Sequence, residues 1–173
     1  IVYNFIKEKL PYNGKVLDCG SGACSILNGT VKNDNLLVTD LLASEYAKIF
    51  DYSKHDIVQP IPLGCEDLPY RDQFDIVHIS NAIDHTTDPV KSYDKLLEAV
   101  KKDGYLIIQG FENEGEHEKW EGMHQWNISL TPTNQLRIAS KDGKVTYKEG
   151  ATIAERVYIE MLGREWFIFI VKK

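Results

Sequence analysis

The segment from Val16 to Gly22, with the sequence VLDCGSG, constrains the fold of this chain more than any other. Its apolar start is typical of a buried strand, and Gly20 and Gly22 then predict a sharp turn of the backbone. A side chain at either glycine would hinder the turn and keep a ligand away from the backbone. The segment therefore predicts a strand followed by a ligand-binding loop.

The acidic residue inside this segment indicates the charge of the ligand. Asp18 lies where a loop that binds pyrophosphate avoids a carboxylate, because like charges repel. A cationic, nucleotide-like cofactor is favoured instead, and S-adenosylmethionine carries both an ammonium and a sulfonium group. A dinucleotide loop of the G-x-G-x-x-G type stays an alternative, although Ser25 stands where that pattern has its third glycine.

Composition favours a single globular domain and disfavours two classes of partner. A length of 173 residues suits one domain, and 43% hydrophobic with 27% charged residues is ordinary for a globular protein. The net charge of -6 argues against a nucleic-acid partner, and no apolar run approaches the length of a membrane span. Cys19, Cys24 and Cys65 lack a metal-binding spacing, which is typical of reduced thiols in a cytoplasmic protein.

Strands and helices alternate along the first two thirds of the chain. Strands are predicted at residues 15–19, 36–39, 74–80 and 105–110, and helices at residues 2–10, near Ser25, at 43–52 and at 89–102. Asp88 is the predicted N-cap of the last helix. This order predicts an α/β fold with a doubly wound, mostly parallel sheet that is covered on both faces.

The last third of the chain changes to antiparallel patterns. Residues 136–139 and 144–147 flank the tripeptide Lys141–Gly143, which is a hairpin signal. Residues 156–161 and 165–171 form a second, more apolar pair. We predict that this second pair adds antiparallel strands to the edge of the sheet.

Several segments together resemble the class I S-adenosylmethionine-dependent methyltransferases, and more narrowly the small-molecule branch called methyltransferase type 11. LLVTD, which ends at Asp40, is similar to the second strand of that family, and CEDLPY, which begins at Cys65, to its AEDLPF segment. FDIVHISNAIDHTTDP, from Phe74, and LLEAVKKDGYLII, from Leu96, resemble its fourth and fifth strands with their flanking segments. With VLDCGSG, these motifs cover residues 14–110 in the order of the family.

The resemblance implies a single Rossmann-like methyltransferase domain over residues 1–173, which uses S-adenosylmethionine and is short of the closing N-terminal helices that the family often carries. The glycine loop is implied to bind the methionine part, the acid after the second strand the ribose hydroxyls, and the CEDLP segment the adenine. The residues implied to bind the cofactor are Asp18, Gly20, Ser21, Gly22, Asp40, Leu41, Cys65, Glu66, Asp67, Leu68 and Asn81.

Two histidines are the main candidates for catalysis. His85 follows the strand at residues 74–80, at the mouth of the expected crevice, and the pKa of an imidazole suits a general base near neutral pH. Asp84 is placed to orient His85. His124 lies near Trp126 in an acidic segment whose aromatic side chains suit stacking on sugar rings. Capping or packing roles for these side chains stay open as alternatives.

The same acidic segment, residues 112–127, also contains side chains of the types that bind metals. His117 and His124 are seven residues apart and would share one face of a continuous helix. Gly115 and Gly122 argue against such a helix. The sequence therefore predicts no metal site.

The predicted function is S-adenosylmethionine-dependent methyl transfer to a small molecule, with O-methylation of a sugar or a related metabolite as the leading hypothesis. A methyltransferase-like domain that binds a nucleotide or a partner without turnover is the alternative. It is motivated by Cys24 in place of a motif glycine, by Gly64 in place of an acid that the family often has, and by the prolines at 60 and 62. An NAD-linked oxidoreductase is a third hypothesis.

Overall fold

The computed structural model describes all 173 residues. The helices are α1 (Val2–Lys9), α2 (Ala43–Ile49), α3 (Pro89–Ala99) and α4 (Glu114–His117). The strands are β1 (Val16–Cys19), β2 (Leu36–Thr39), β3 (Phe74–Ser80), β4 (Val100–Phe111), β5 (Trp126–Leu130), β6 (Leu136–Ser140), β7 (Val145–Lys148), β8 (Ala151–Ile159) and β9 (Arg164–Lys172). None of the helices has the length and apolar character needed to cross a membrane.

The main sheet has six strands in the order β2-β1-β3-β4-β9-β8. The first four strands run parallel, whereas β9 pairs antiparallel with β4 and β8 pairs antiparallel with β9. The predicted α/β class, with a mostly parallel sheet and antiparallel C-terminal strands, is therefore confirmed. The parallel order places the carboxyl ends of β1, β2 and β3 next to one another.

Both faces of the main sheet are covered, because its strands are apolar on both sides. Helix α1 covers one face with Phe5 and Ile6, which pack against alternate residues of the strands. Helix α3 covers the other face with Tyr93, Leu96 and Ala99. These two clusters of buried side chains form the core and fix the strands that carry the site.

A second, three-stranded sheet has the order β5-β6-β7 and is antiparallel throughout. Its β6–β7 pair is the hairpin predicted from the sequence. Strand β5 was not predicted, because its first residues belong to the acidic segment 112–127 and mask the apolar pattern that follows. Ile128, Leu130, Leu136 and Ile138 of this sheet pack beside α3 in the core, so the small sheet completes the cover of that face.

Residues 20–31 form turns, so the helix predicted near Ser25 is wrong. The Ser25 hydroxyl donates a hydrogen bond to Asp18 and accepts one from the backbone N–H of Leu27 at 3.0 Å. Gly29 has a φ of 74°, which no regular right-handed helix contains. Local side-chain hydrogen bonds thus replace the helical ones.

Helix α3 begins at its predicted cap and ends earlier than predicted. The Asp88 carboxylate accepts hydrogen bonds from the N–H groups of residues 90 and 91 at 3.0 and 2.9 Å. The helix stops at Ala99 instead of residue 102, and β4 starts at once with Val100. A Cβ at Gly104 would lie 2.7 Å from the carbonyl oxygen of Asp75, so the glycine lets the two strands approach.

We predict that Asp88→Ala lowers the free energy of unfolding by about 1 kcal/mol, because two N–H groups at the start of α3 lose their acceptor. Urea denaturation followed by circular dichroism measures the change. Asp88→Asn is the matched control, since asparagine caps helices about as well as aspartate. Equal losses in the two variants would contradict the capping role.

Candidate active site

The carboxyl ends of β1, β2 and β3 open onto one cavity of about 500 Å³. In an open α/β sheet, ligands bind at this edge. Gly20 follows β1, Asp40 follows β2 and Asn81 follows β3, and each of them lines the cavity. The sequence-predicted residues that line it are Gly20, Ser21, Gly22, Asp40, Leu41, Cys65, Glu66, Asp67, Asn81 and His85.

The glycine loop after β1 turns as the sequence predicts. Gly20 and Gly22 have φ values of 67° and 66°, a region that favours glycine. A Cβ at Gly20 would lie 2.7 Å from the Cβ of Ala82, closer than real Cβ atoms approach. The N–H groups of Gly20 and Ser21 both donate to the carbonyl oxygen of Thr39, at 2.8 and 3.2 Å. The loop is thereby tied to the end of β2.

Asp40 fixes this loop from the side of β2. Its Oδ2 accepts a hydrogen bond from the N–H of Gly22 at 2.9 Å, and its Oδ1 accepts one from the N–H of Leu42 at 2.8 Å. A carboxylate has about four acceptor positions, so both oxygens keep capacity for a ligand. Asp40 can therefore hold the loop and still accept hydroxyl groups in the cavity.

Asp18 does not line the cavity but lies beneath the loop. We expected it to contact the ligand directly, so the structure differs from that prediction. Only 2% of the residue is exposed. One carboxylate oxygen accepts from the hydroxyl of Ser25, and the other contacts Nδ1 of His78 at 2.7 Å. Nε2 of His78 contacts the side-chain amide nitrogen of Gln109 at 3.0 Å. The charge of Asp18 is thus used inside the protein, where it supports the loop.

The CEDLP segment lines the cavity with a short 3-10 turn, Cys65–Asp67. Leu68 is 2% exposed, and its side chain points away from the cavity into the core. It therefore does not line the cavity, unlike the other residues of the segment that we expected to bind the cofactor. Glu66 accepts a hydrogen bond from the N–H of Asp88 at 2.7 Å, which joins the turn to the start of α3. The turn is thereby held in place along one wall.

Two thiols meet at the inner end of this wall. The Sγ atoms of Cys19 and Cys65 are 2.8 Å apart, and both side chains are buried. The hydrogen bond from Cys19 and the burial together raise the pKa of the Cys65 thiol well above its usual value. The Cys65 thiol is therefore neutral near neutral pH, and it gives this wall an uncharged surface.

Asp84, His85 and His124 come together in a cluster that is made by two separate loops, and of the three only His85 lines the cavity. The 3-10 turn Ile83–His85 follows β3, whereas His124 lies in the loop before β5. Asp84 Oδ2 lies 2.8 Å from His124 Nδ1 and 3.5 Å from His85 Nε2, and the two imidazole rings have centroids 4.6 Å apart. The structure thus joins the three candidate catalytic residues.

A second cavity of about 460 Å³ lies beside the first. Both cavities are lined by His85, Thr86, Thr87 and Met123, so they share a wall. The other residues of the second cavity are Gly122, Gln125, Trp126, Ser140, Lys141 and Asp142. Two ligands, one in each cavity, would therefore lie close to each other at His85.

The family model for a methyltransferase domain matches residues 17–108, which is more than half of the chain. The chain belongs to this methyltransferase family. It is a class I enzyme of the S-adenosylmethionine-dependent type, and S-adenosylmethionine is its cofactor. No curated protein matches its sequence.

Solved structures agree with the fold of the methyltransferase. A 1,6-didemethyltoxoflavin-N1-methyltransferase from Burkholderia thailandensis, with bound 1,6-didemethyltoxoflavin and S-adenosylhomocysteine, has a TM-score of 0.61 at 14% identity over 99% of this chain and 75% of its own. An S-adenosylmethionine-dependent methyltransferase from Clostridium acetobutylicum has a TM-score of 0.60 at 15% identity, over 98% of this chain and 89% of its own. A putative S-adenosylmethionine-dependent methyltransferase from Listeria monocytogenes has a TM-score of 0.58 at 14% identity, over 99% of this chain and 97% of its own.

The first cavity of the methyltransferase fits the cofactor in size and chemistry. Its volume lies in the range of ordinary ligand pockets. Gly20 and Gly22 bring backbone to the cavity edge, and Asp40 offers acceptors for hydroxyl groups. Leu41, Leu63 and the neutral thiol of Cys65 provide apolar surface for a flat ring.

Some residues that line the cofactor cavity of the methyltransferase were missed from the sequence. Tyr46 lies on α2, where helical spacing indicated packing, and Thr86, Thr87 and Met123 lie in loops without a pattern. Burial, with a smaller contribution from the charge of Asp40, raises the pKa of the Tyr46 phenol. The phenol is therefore neutral near neutral pH and can donate a hydrogen bond.

We predict that iodoacetamide labels the folded methyltransferase once, at the exposed Cys24, because Cys19 and Cys65 are buried and the pKa of the Cys65 thiol is raised. Mass spectrometry of the intact protein gives the number of labels. Unfolding in urea should raise it to three, the number of cysteines, and Cys24→Ser should leave the folded protein unlabelled. Two or more labels on the folded wild type would contradict the protected pair.

Proposed function

We propose that the methyltransferase transfers the methyl group of S-adenosylmethionine to an oxygen of a small, polar acceptor such as a sugar or a related metabolite. The observation that carries the proposal is the pair of adjoining cavities, which share a wall at His85. One cavity has the size and lining for the cofactor. The other is left for an acceptor, within reach of the first.

The cofactor is proposed to lie with its methionine part against the glycine loop and Asn81, and its ribose near Asp40. The turn Cys65–Asp67 would then lie along the adenine. Polar backbone groups of the loop and the unfilled acceptor positions of Asp40 support this assignment. The bound cofactor supplies an electrophilic methyl group on a sulfonium.

The lining of the second cavity supports a polar acceptor with one flat apolar face. Trp126 is held by a hydrogen bond from its Nε1 to the carbonyl oxygen of Thr86 at 3.0 Å, so its ring has a fixed orientation. Ring faces of tryptophan suit stacking on sugars and other flat groups. Gln125, Ser140 and Lys141 add donors and acceptors for hydroxyl groups.

The cluster of Asp84, His85 and His124 is proposed as the catalytic group. Methylation of a hydroxyl breaks the carbon–sulfur bond, forms a carbon–oxygen bond and releases the hydroxyl proton. His85 of this cluster lines both cavities, so its imidazole is within reach of an acceptor and could assist removal of that proton.

The Burkholderia thailandensis structure supports an acceptor of small size, because it holds 1,6-didemethyltoxoflavin together with S-adenosylhomocysteine. The net charge of -6 is in keeping with an acceptor other than a nucleic acid. Cofactor binding without methylation of any acceptor would instead favour the alternative of a binding domain without turnover.

We predict that Asp40→Asn weakens the binding of S-adenosylmethionine and S-adenosylhomocysteine by at least about tenfold, since hydrogen bonds to a charged group are worth about 1.5–3 kcal/mol. Isothermal titration calorimetry measures both affinities. Glu45→Gln, an exposed acid on α2, is the matched control and should leave them unchanged. An Asp40→Asn variant that binds as tightly as wild type would contradict the ribose role.

We predict that His85→Ala lowers turnover by about 100-fold or more, which is the usual contribution of a group that assists proton transfer. Transfer of a labelled methyl group to a panel of sugars and hydroxylated metabolites measures turnover. The exposed His117, paired with Glu118, provides the control variant His117→Ala, which should keep wild-type activity. If His85→Ala and wild type methylate an acceptor equally fast, the cluster has no catalytic role.

A further inference from the structure

The cluster of Asp84, His85 and His124 has the composition and the spacing of a metal site. One ligand atom from each residue lies within 4.8 Å of the other two. In a tetrahedral zinc site with bonds of 2.0–2.1 Å, neighbouring ligand atoms are about 3.3 Å apart. The observed separations of 2.8 Å and 3.5 Å from Asp84 Oδ2 to the two imidazoles bracket that value. The spacing of the carboxylate from both imidazoles is therefore close to that of a tetrahedral site.

An unpartnered nitrogen of His85 is a second, independent indication of a metal site. Its Nε2 is buried and has no hydrogen-bond partner, although it is 3.5 Å from Asp84 Oδ2. Buried polar atoms are normally satisfied, so an unpartnered one needs an explanation. A metal ion between the imidazole nitrogen and the carboxylate would satisfy both atoms.

The charges around the cluster also favour a cation. Asp84 and Glu114 both have side chains with 5% exposure, and Nδ1 of His124 lies 2.8 Å from the first carboxylate and 3.5 Å from the second. Arg164 neutralises Glu114 through its other oxygen. Asp84 has only the two imidazoles as ion-pair partners. A buried carboxylate is stabilised by a cation that is bound next to it.

We propose that Asp84, His85 and His124 bind one divalent transition-metal ion, of which zinc fits best. Two imidazoles and a carboxylate favour zinc and similar ions over magnesium or calcium. Three protein ligands leave a fourth position open, as in catalytic zinc sites. Glu114 Oε2 lies 3.5 Å from the same Nδ1 of His124, so it adds negative charge beside the site.

The open position would face the wall shared by the two cavities, since His85 lines both. An acceptor oxygen bound there would lose its proton more readily, because a bound cation lowers the pKa of an attached hydroxyl. This part rests on the proposed function, whereas metal binding itself does not.

The sequence predicted no metal site, and the proposed zinc site differs from that prediction. That prediction considered His117 as the partner of His124, whereas His117 lies on the surface and pairs with Glu118. The partners of His124 in the fold are Asp84 and His85, about 40 positions earlier in the chain. Only the packing of the loop before β5 against the turn after β3 brings them together.

Metal binding can be measured directly on the untagged protein after treatment with a chelator. Competition against a chromogenic chelator should give one equivalent of zinc with a dissociation constant of about 1 μM or below. Cobalt added in place of zinc should produce the visible absorption of a four-coordinate ion. His85→Ala and His124→Ala should each weaken zinc binding by about 100-fold, more than is usual for residues outside the metal shell. His117→Ala is the matched control and should bind zinc like wild type.

Each outcome separates the two proposals. Wild type that binds no zinc, or loss of zinc in His117→Ala instead of His124→Ala, would overturn the metal site. Circular dichroism checks that the variants are folded, and Asp84→Asn, which keeps the size of the side chain, gives a second test with the same expected loss. Calorimetry with S-adenosylhomocysteine is run in parallel. Zinc binding without cofactor binding contradicts the proposed function alone, and the reverse result contradicts the metal site alone.

Discussion

The hydrogen bond between Asp18 and His78 underlies the whole site. The two residues are direct neighbours on β1 and β3, and both are almost completely buried. A carboxylate at such a position destabilises the fold unless it is paired. Here it is paired with His78, which contacts Gln109 on β4, and with Ser25 from the glycine loop. One network therefore joins three strands and the loop directly beneath the cofactor cavity.

The cavity above this network is held in shape before a ligand binds. Asp40 accepts the N–H groups of Gly22 and Leu42, and Glu66 accepts the N–H of Asp88. Each carboxylate is thus fixed in orientation by backbone donors and still faces the cavity. A ligand that uses their remaining acceptor positions pays less to order them, which is how preorganised sites gain affinity. The same acids therefore serve both the fold and the binding of the cofactor.

The sequence predicts the parts of the site that follow directly from strand ends. Gly20, Asp40 and Asn81 were expected at one edge because parallel strands end there together, and the structure places them so. Asp18 and Leu68 lie in the same motifs, but their side chains point into the core, and a motif does not specify that direction. Strand β5 and the contact of Asp84 with His124 depend on how a distant loop packs. No local periodicity carries that information.

The cluster of Asp84, His85 and His124 brings a buried carboxylate close to the two cavities. Methyl transfer to oxygen requires a place where the acceptor loses a proton while water is kept out. Asp84 is buried beside His85, which lines both cavities, and its ion-pair partners are imidazoles rather than lysine or arginine. An imidazole can take up and release a proton or bind a metal, whereas the guanidinium of Arg164 stays protonated and does neither. The carboxylate that needs a cation and the acceptor that must lose a proton are therefore served by the same pair of histidines.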